Sequence, residues 1–167
     1  DLRQPPIGRI VLNGNSFQNW ESNPMRGVTR EAMPYVCEAD RDLPENEQTT
    51  FWLIQKNNKM QNESIRRYAR ASSEGRGGAR EFDDRKLSAA DIEEFQAVCT
   101  KVENYCWSEE YLKNHSNASV DENGFQAEIT DPSGLADIVR DMPAGALSEV
   151  FDAVNNPVRL GNAGKKS

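Results

Sequence analysis

Between Ser88 and Trp107 the apolar residues Ile92, Phe95, Val98, Cys99, Val102, Tyr105 and Cys106 recur at steps of three and four. That spacing traces one face of an α-helix. Asp91, Glu93, Glu94, Gln96, Lys101, Glu103 and Asn104 fall mostly on the opposite face. Ser88 with Asp91 supplies a cap and an acid for the first turn. The pattern predicts a central helix over 88–107, around which the rest of the chain packs, with its acids as solvating charge.

Alternating and β-branched stretches mark strands. Pro34–Glu38 and Thr49–Gln55 (TTFWLIQ) are expected to pair as antiparallel strands across the polar connection Ala39–Gln48. Gly8–Leu12 and Phe125–Ile129 read as shorter strands. Helical spacing returns at Asn62–Ala71, with Ile65 and Tyr68 on one side and Arg66, Arg67 and Arg70 on the other. Asp131-Pro132 caps a helix carrying Leu135, Ile138, Val139 and Met142. A second short helix presents Leu147, Val150, Phe151 and Val154 and stops at Asn155-Asn156-Pro157. These two are expected to pack as a pair on the central helix.

The fold class that follows is α+β: a small antiparallel sheet from the N-terminal half, packed beside a helical C-terminal half. Residues 1–33 read as an extended arm, 34–157 as a single domain with a flexible linker near 72–80, and 158–167 as a polar tail. Phe17 and Trp20 lie on the arm without period, so they either fold onto the domain or dock on a neighbour.

Charge sharpens this picture. The net charge over 167 residues is −7, which argues against nucleic acid as the partner. The distribution is uneven: residues 56–86 hold nine bases and five acids, residues 88–167 six bases and fourteen acids. Such asymmetry suits contact with partners of differing sign, or with copies of the same chain. Arg66, Arg67 and Arg70 are then either a solvated face or a contact for an acidic surface.

Candidate chemistry changes the picture little. Three cysteines do not form a full disulfide framework; all three are expected in the core. The single histidine, His115, sits in a polar loop, and a general base there would need a nucleophile and an orienting acid beside it. Ser119, Asp121 and Asn123 before Gly124 resemble part of a calcium loop, but the last position holds Thr130 where a bidentate glutamate is required. Gly75-Arg76-Gly77-Gly78 lacks the lysine of a phosphate loop. No catalytic, cofactor or metal residues are assigned. No stretch approaches a membrane span, and the N-terminus does not read as a signal peptide.

Two stretches together resemble a known group. The first is ADRDLPENEQTTFWLI, residues 39–54, a run entering a strand. The second is the C-terminal third, with its DENG turn, a polar strand, Leu135–Asn156 closing in LSEVFDAVNNP, and the tail RLGNAGKKS. In this order they resemble small proteins encoded among the tail genes of long-tailed bacteriophages, many of them described as tail assembly chaperones. The resemblance spans residues 34–70 and 88–167. It implies a non-enzymatic role in phage morphogenesis, holding tail tube subunits soluble or recruiting them to a tape measure. It implies partners among phage structural proteins (tail tube, capsid or neck subunits) or copies of the chain itself, and a place in the host cytoplasm during assembly. The arm 1–33 is longer than the group's pattern, which raises a rival: a permanent structural component of the virion. A small-molecule enzyme is the third reading, and it lacks a nucleophile, metal or phosphate motif. The partner-binding residues expected on this basis are Phe17, Trp20, Arg66, Arg67 and Arg70.

Overall fold

The computed structural model describes residues 31–74 and 80–156. The arm with its Gly8–Leu12 strand, Phe17 and Trp20, the glycine-rich 75–79 and the tail from Pro157 lie outside the described residues. In chain order the elements are β1 (Met33–Val36), β2 (Thr50–Leu53), α1 (Asn58–Ala71), β3 (Ser72–Glu74), β4 (Arg80–Phe82), α2 (Asp84–Val98), β5 (Cys99–Cys106), α3 (Glu109–Asn114), β6 (Phe125–Ile129), α4 (Pro132–Asp141) and α5 (Ala144–Asn155). The architecture is α+β. β1, β2, β5 and β6 lie side by side in that order as one antiparallel sheet.

β1 and β2 pair as their sequences lead one to expect, Tyr35 opposite Phe51 and Met33 opposite Leu53. The connection between them is polar but organised. Two 3-10 turns, Glu38–Asp40 and Glu45–Glu47, shape it, and the buried Gln48 amide donates to the carbonyls of Arg41 and Leu43 at 3.2 and 2.7 Å. The stretch expected as a linker contributes β3 and β4, which pair with each other at its two ends.

The central helix is shorter than the periodicity predicts. It spans Asp84–Val98, and Cys99–Cys106 is a strand at the heart of the sheet. Two irregularities in that strand imitate helical spacing. Leu53 pairs with Cys99 while Trp52 pairs with Lys101, so Thr100 is an extra residue that lengthens the step from Cys99 to Val102. Asn104 takes a positive φ of 57°, which sets Tyr105 rather than Asn104 into the core. Its side-chain amide donates to the carbonyls of Asn46 and Gln48 at 2.6 and 3.2 Å, holding that conformation. Buried positions therefore fall at 99, 102 and 105, three apart, in an extended chain. Cys106, expected in the core, is exposed. Cys37 and Cys99 are buried, and burial pushes both thiols up to about 12.

The core gathers Tyr35, Phe51, Leu53, Val102 and Ile129 from the strands with Phe95, Val98, Leu135, Ile138, Val150 and Val154 from the helices. α4 packs along α2. Gly134 permits the tight turn into α4, since a Cβ there would meet Ile129 Cγ2 at 2.7 Å. α5 reaches instead toward β1, where Glu149 Oε1 accepts from the Tyr35 hydroxyl at 2.7 Å and from the Glu38 N–H at 2.8 Å. Among the described residues no helix is long and apolar enough to cross a membrane.

Candidate functional site

Two surfaces stand out, one on α1 and one between α3 and α4. α1 begins at Asn57, whose side chain accepts from the Met60 N–H. Its inward face is fixed by charge. Arg67 Nη1 donates to Glu94 Oε2 at 2.6 Å, and Lys56 Nζ lies against Glu94 Oε1. The side chains are 18%, 7% and 1% exposed for Arg67, Lys56 and Glu94. Tyr68 donates to Asp91 at 2.7 Å, and burial followed by that carboxylate raises its phenol well above the ordinary range. Glu94 is thus no solvating charge. It sits between Ala90 and Val98 at helical spacing, within the buried stripe of α2.

The three arginines expected to act together are divided by this arrangement. Arg67 is held by Glu94 and, at 3.6 Å, by Glu93. Arg66 and Arg70 are exposed on the outer face with Lys59 and Ile65. Ile65 is 57% exposed, and with Leu43 it is one of two large hydrophobic residues left open among the described residues. No ion pair joins Lys59, Arg66 or Arg70 to another described residue. The exposed residues of α1 are Asn58, Lys59, Gln61, Asn62, Ile65, Arg66, Ala69 and Arg70, which hold three cations and no anion.

The second surface is a cleft of about 370 Å³ lined by Ser108, Tyr111, His115, Asp137 and Asp141, with Glu110, Asn114 and Arg140 at its sides. Tyr111 and His115 on its wall are the outer rungs of an aromatic ladder whose inner rungs are buried. Tyr105 meets Trp107 edge-on at 4.8 Å, Trp107 stacks on Tyr111 at 3.8 Å, and Tyr111 stacks on His115 at 3.9 Å. Trp107, Tyr111 and His115 stand four apart, a spacing visible in the sequence. Ser108 caps α3 by accepting from the Tyr111 N–H at 3.1 Å, and this aligns the two rings that follow.

Asp141 ties the cleft floor together. It accepts from the Tyr105 hydroxyl at 3.2 Å, from the Ser108 N–H at 3.1 Å, and from the Ser108 hydroxyl. Asp137 accepts from Tyr111 at 3.3 Å and pairs with Arg140 at 2.9 Å. Burial, then the facing carboxylate, raises the phenols of Tyr105 and Tyr111. Histidine, serine and aspartate therefore share one cleft, a grouping the sequence could not show. The Ser108 hydroxyl, however, bonds to Asp141 and the Tyr111 N–H, while His115 Nδ1 lies 2.9 Å from the Tyr111 carbonyl. This is the bonding of a helix cap, not of a nucleophile aligned on a base.

The acidic turn before β6 also has a local explanation. Asp121 Oδ1 accepts from the N–H groups of Asn123 and Phe125 at 2.8 and 3.0 Å, and Gly124 takes the positive φ the turn requires, 86°. Among the described residues no group of three or more His, Cys, Asp or Glu is placed to hold a metal ion. Compared with known proteins, the chain matches no family model, no curated protein and no solved structure.

Proposed function

We propose that this chain is a non-enzymatic bacteriophage morphogenesis protein, similar to a tail assembly chaperone, that acts by protein–protein contact in the host cytoplasm while particles are built. The observation that carries the reading is the outer face of α1. An exposed isoleucine on one side of the face and three exposed cations along the other, on a helix anchored from behind by buried ion pairs, make a rigid surface with an apolar edge and a basic edge. Interfaces are built that way, with an apolar anchor and charges that steer approach. The resemblance of residues 39–54 and of the C-terminal third to tail-region proteins supplies the setting. Phe17 and Trp20 join the proposed contact residues on sequence alone, and Arg66 and Arg70 join them on sequence and placement.

Quantitative mass spectrometry of purified virions against the lysate they came from tests the role. An assembly factor is abundant in lysate and absent from virions. A fixed ratio to the major capsid or tube protein makes the chain a permanent component instead. In parallel, Ile65→Asp should lower particle yield without changing the melting temperature. An unchanged yield would reject α1 as the working surface.

A further inference from the structure

We propose that the partner of the α1 face is a second copy of this chain, which receives it in the cleft between α3 and α4, so that copies associate head to tail. This rests on the reading of α1 as a docking surface and names what docks there. The two faces are complementary. α1 offers Ile65 with Lys59, Arg66 and Arg70, and its one acid, Glu63, is half-buried. The cleft offers the rings of Tyr111 and His115 as a wall, with Glu110 and Asp141 around it and Asp137 already paired with Arg140. Asp141 is bonded only by uncharged donors, so its negative charge is uncancelled by any pair within the cleft. Glu110 is exposed beside it. An isoleucine on the aromatic wall with the two arginines reaching Glu110 and Asp141 joins apolar contact to charge pairing.

The two surfaces belong to different parts of the molecule. α2 touches both α1 and α4, whereas α1 and α4 make no substantial contact with each other. One copy therefore offers its α1 face while its own cleft stays open. A contact between unlike surfaces does not stop at two copies: it closes into a ring or grows as a filament. The uneven charge of the sequence, basic over 56–86 and acidic over 88–167, is the one-dimensional trace of this arrangement.

Sedimentation analysis of the full chain over a concentration series tests it, with two variants that leave internal bonds intact. Arg66→Glu/Arg70→Glu reverses the α1 face, and Glu110→Arg reverses the cleft rim. The wild-type chain should form species larger than dimers, and their association should weaken as salt is raised. Each variant alone should be monomeric, its association weakened by about tenfold or more. Mixed, the two variants should associate with each other, because each retains the surface the other lost. A wild-type chain that stays monomeric overturns the proposal. So does an oligomer that survives either variant, or a mixture that does not associate. A monomeric wild type that still loses particle yield on the α1 reversal would leave the proposed function standing and remove only the second copy as partner.

Discussion

Glu94 and Asp141 do the same architectural job in opposite electrostatic settings. Each is a helical carboxylate that ties a neighbouring element to the core. Glu94 is buried, and two cations meet it, Lys56 and Arg67. Asp141 is half-buried at a cleft floor, and its partners are a phenol, a hydroxyl and an amide N–H. With Glu93 also reaching Arg67 at 3.6 Å, the first cluster sets two cations against two carboxylates and is finished as architecture. The second satisfies its hydrogen bonds but keeps its charge, and it faces a cleft that can receive a cation. Which part of this molecule is scaffold and which is available for contact is decided by that residual charge more than by burial.

Breaking the first cluster should have the largest effect. Glu94→Gln leaves Lys56 and Arg67 as a buried and a largely buried cation without their anion, and should cost about 3–5 kcal/mol of stability in urea unfolding. Replacing the whole set, with Lys56→Met, Glu94→Leu and Arg67→Met together, should recover most of that loss, because no uncompensated charge remains. If the single change costs less than about 1 kcal/mol, Glu94 is reached by water and the contrast with Asp141 collapses.

The equivalent change in the second cluster should be milder. Asp141→Ala removes the acceptor for Tyr105 and Ser108 but strands no charge, so about 1–3 kcal/mol is expected. The loss should come with loosening of the Trp107–Tyr111 stack, seen as a shift in the near-UV circular dichroism. A cost equal to that of Glu94→Gln would show that the bonding of Asp141, not its leftover charge, is its main role.

Much of the fold was legible because local signals agreed. The β1–β2 pairing, the Asp131-Pro132 start of α4 and the proline that separates α4 from α5 follow from strand composition and capping chemistry. β5 was not legible, because a bulge and a left-handed asparagine gave an extended chain the spacing of a helix. Only the sheet neighbours, through pairing and the amide contacts of Asn104, decide between the two. Glu94 was misread for a related reason: a charged residue inside an apolar stripe counts against burial until its cations are found, and Lys56 and Arg67 lie 38 and 27 positions away in sequence. The cleft is tertiary in the same sense. Trp107, Tyr111 and His115 share a visible spacing, but the carboxylates facing them come from α4.

Tyrosines in both clusters sharpen the comparison at high pH. Tyr68 donates to Asp91 and Tyr105 to Asp141, and both phenols are raised in the fold, first by burial. A phenol raised above its unfolded value of about 10 stabilises the fold fully below that pH, and its contribution is lost as the pH climbs beyond it. Phenolate absorbance and loss of helical circular dichroism should therefore rise together above pH 10. Tyrosines that ionise while the helices stay intact would show that neither cluster is closed to solvent.

The smallest effect is expected on the outer face of the sheet, where a third carboxylate is intermediate between the other two. Glu103 accepts from Lys101 at 2.7 Å and from the Trp52 indole N–H at 2.9 Å, and Lys101 sits 4.7 Å above the Trp52 ring. These bonds, Lys101 first and Trp52 second, hold its carboxyl below the usual glutamate value. The contribution is therefore present above the unfolded glutamate pKa of about 4.3 and fades as the pH falls through the lower folded value. Because the cluster is open to solvent, the change in overall stability should be slight. The readable quantity is the part of the tryptophan emission that disappears in Trp52→Phe. It should titrate below the usual glutamate range, and the step should vanish in Glu103→Gln. Lys101→Met should move the midpoint upward, since the larger of the two stabilising partners is gone. A midpoint unmoved by that change would assign the depression to the indole bond alone. Glu103 would then resemble Asp141, a carboxylate held by an uncharged donor, and would cease to be the midpoint of the series.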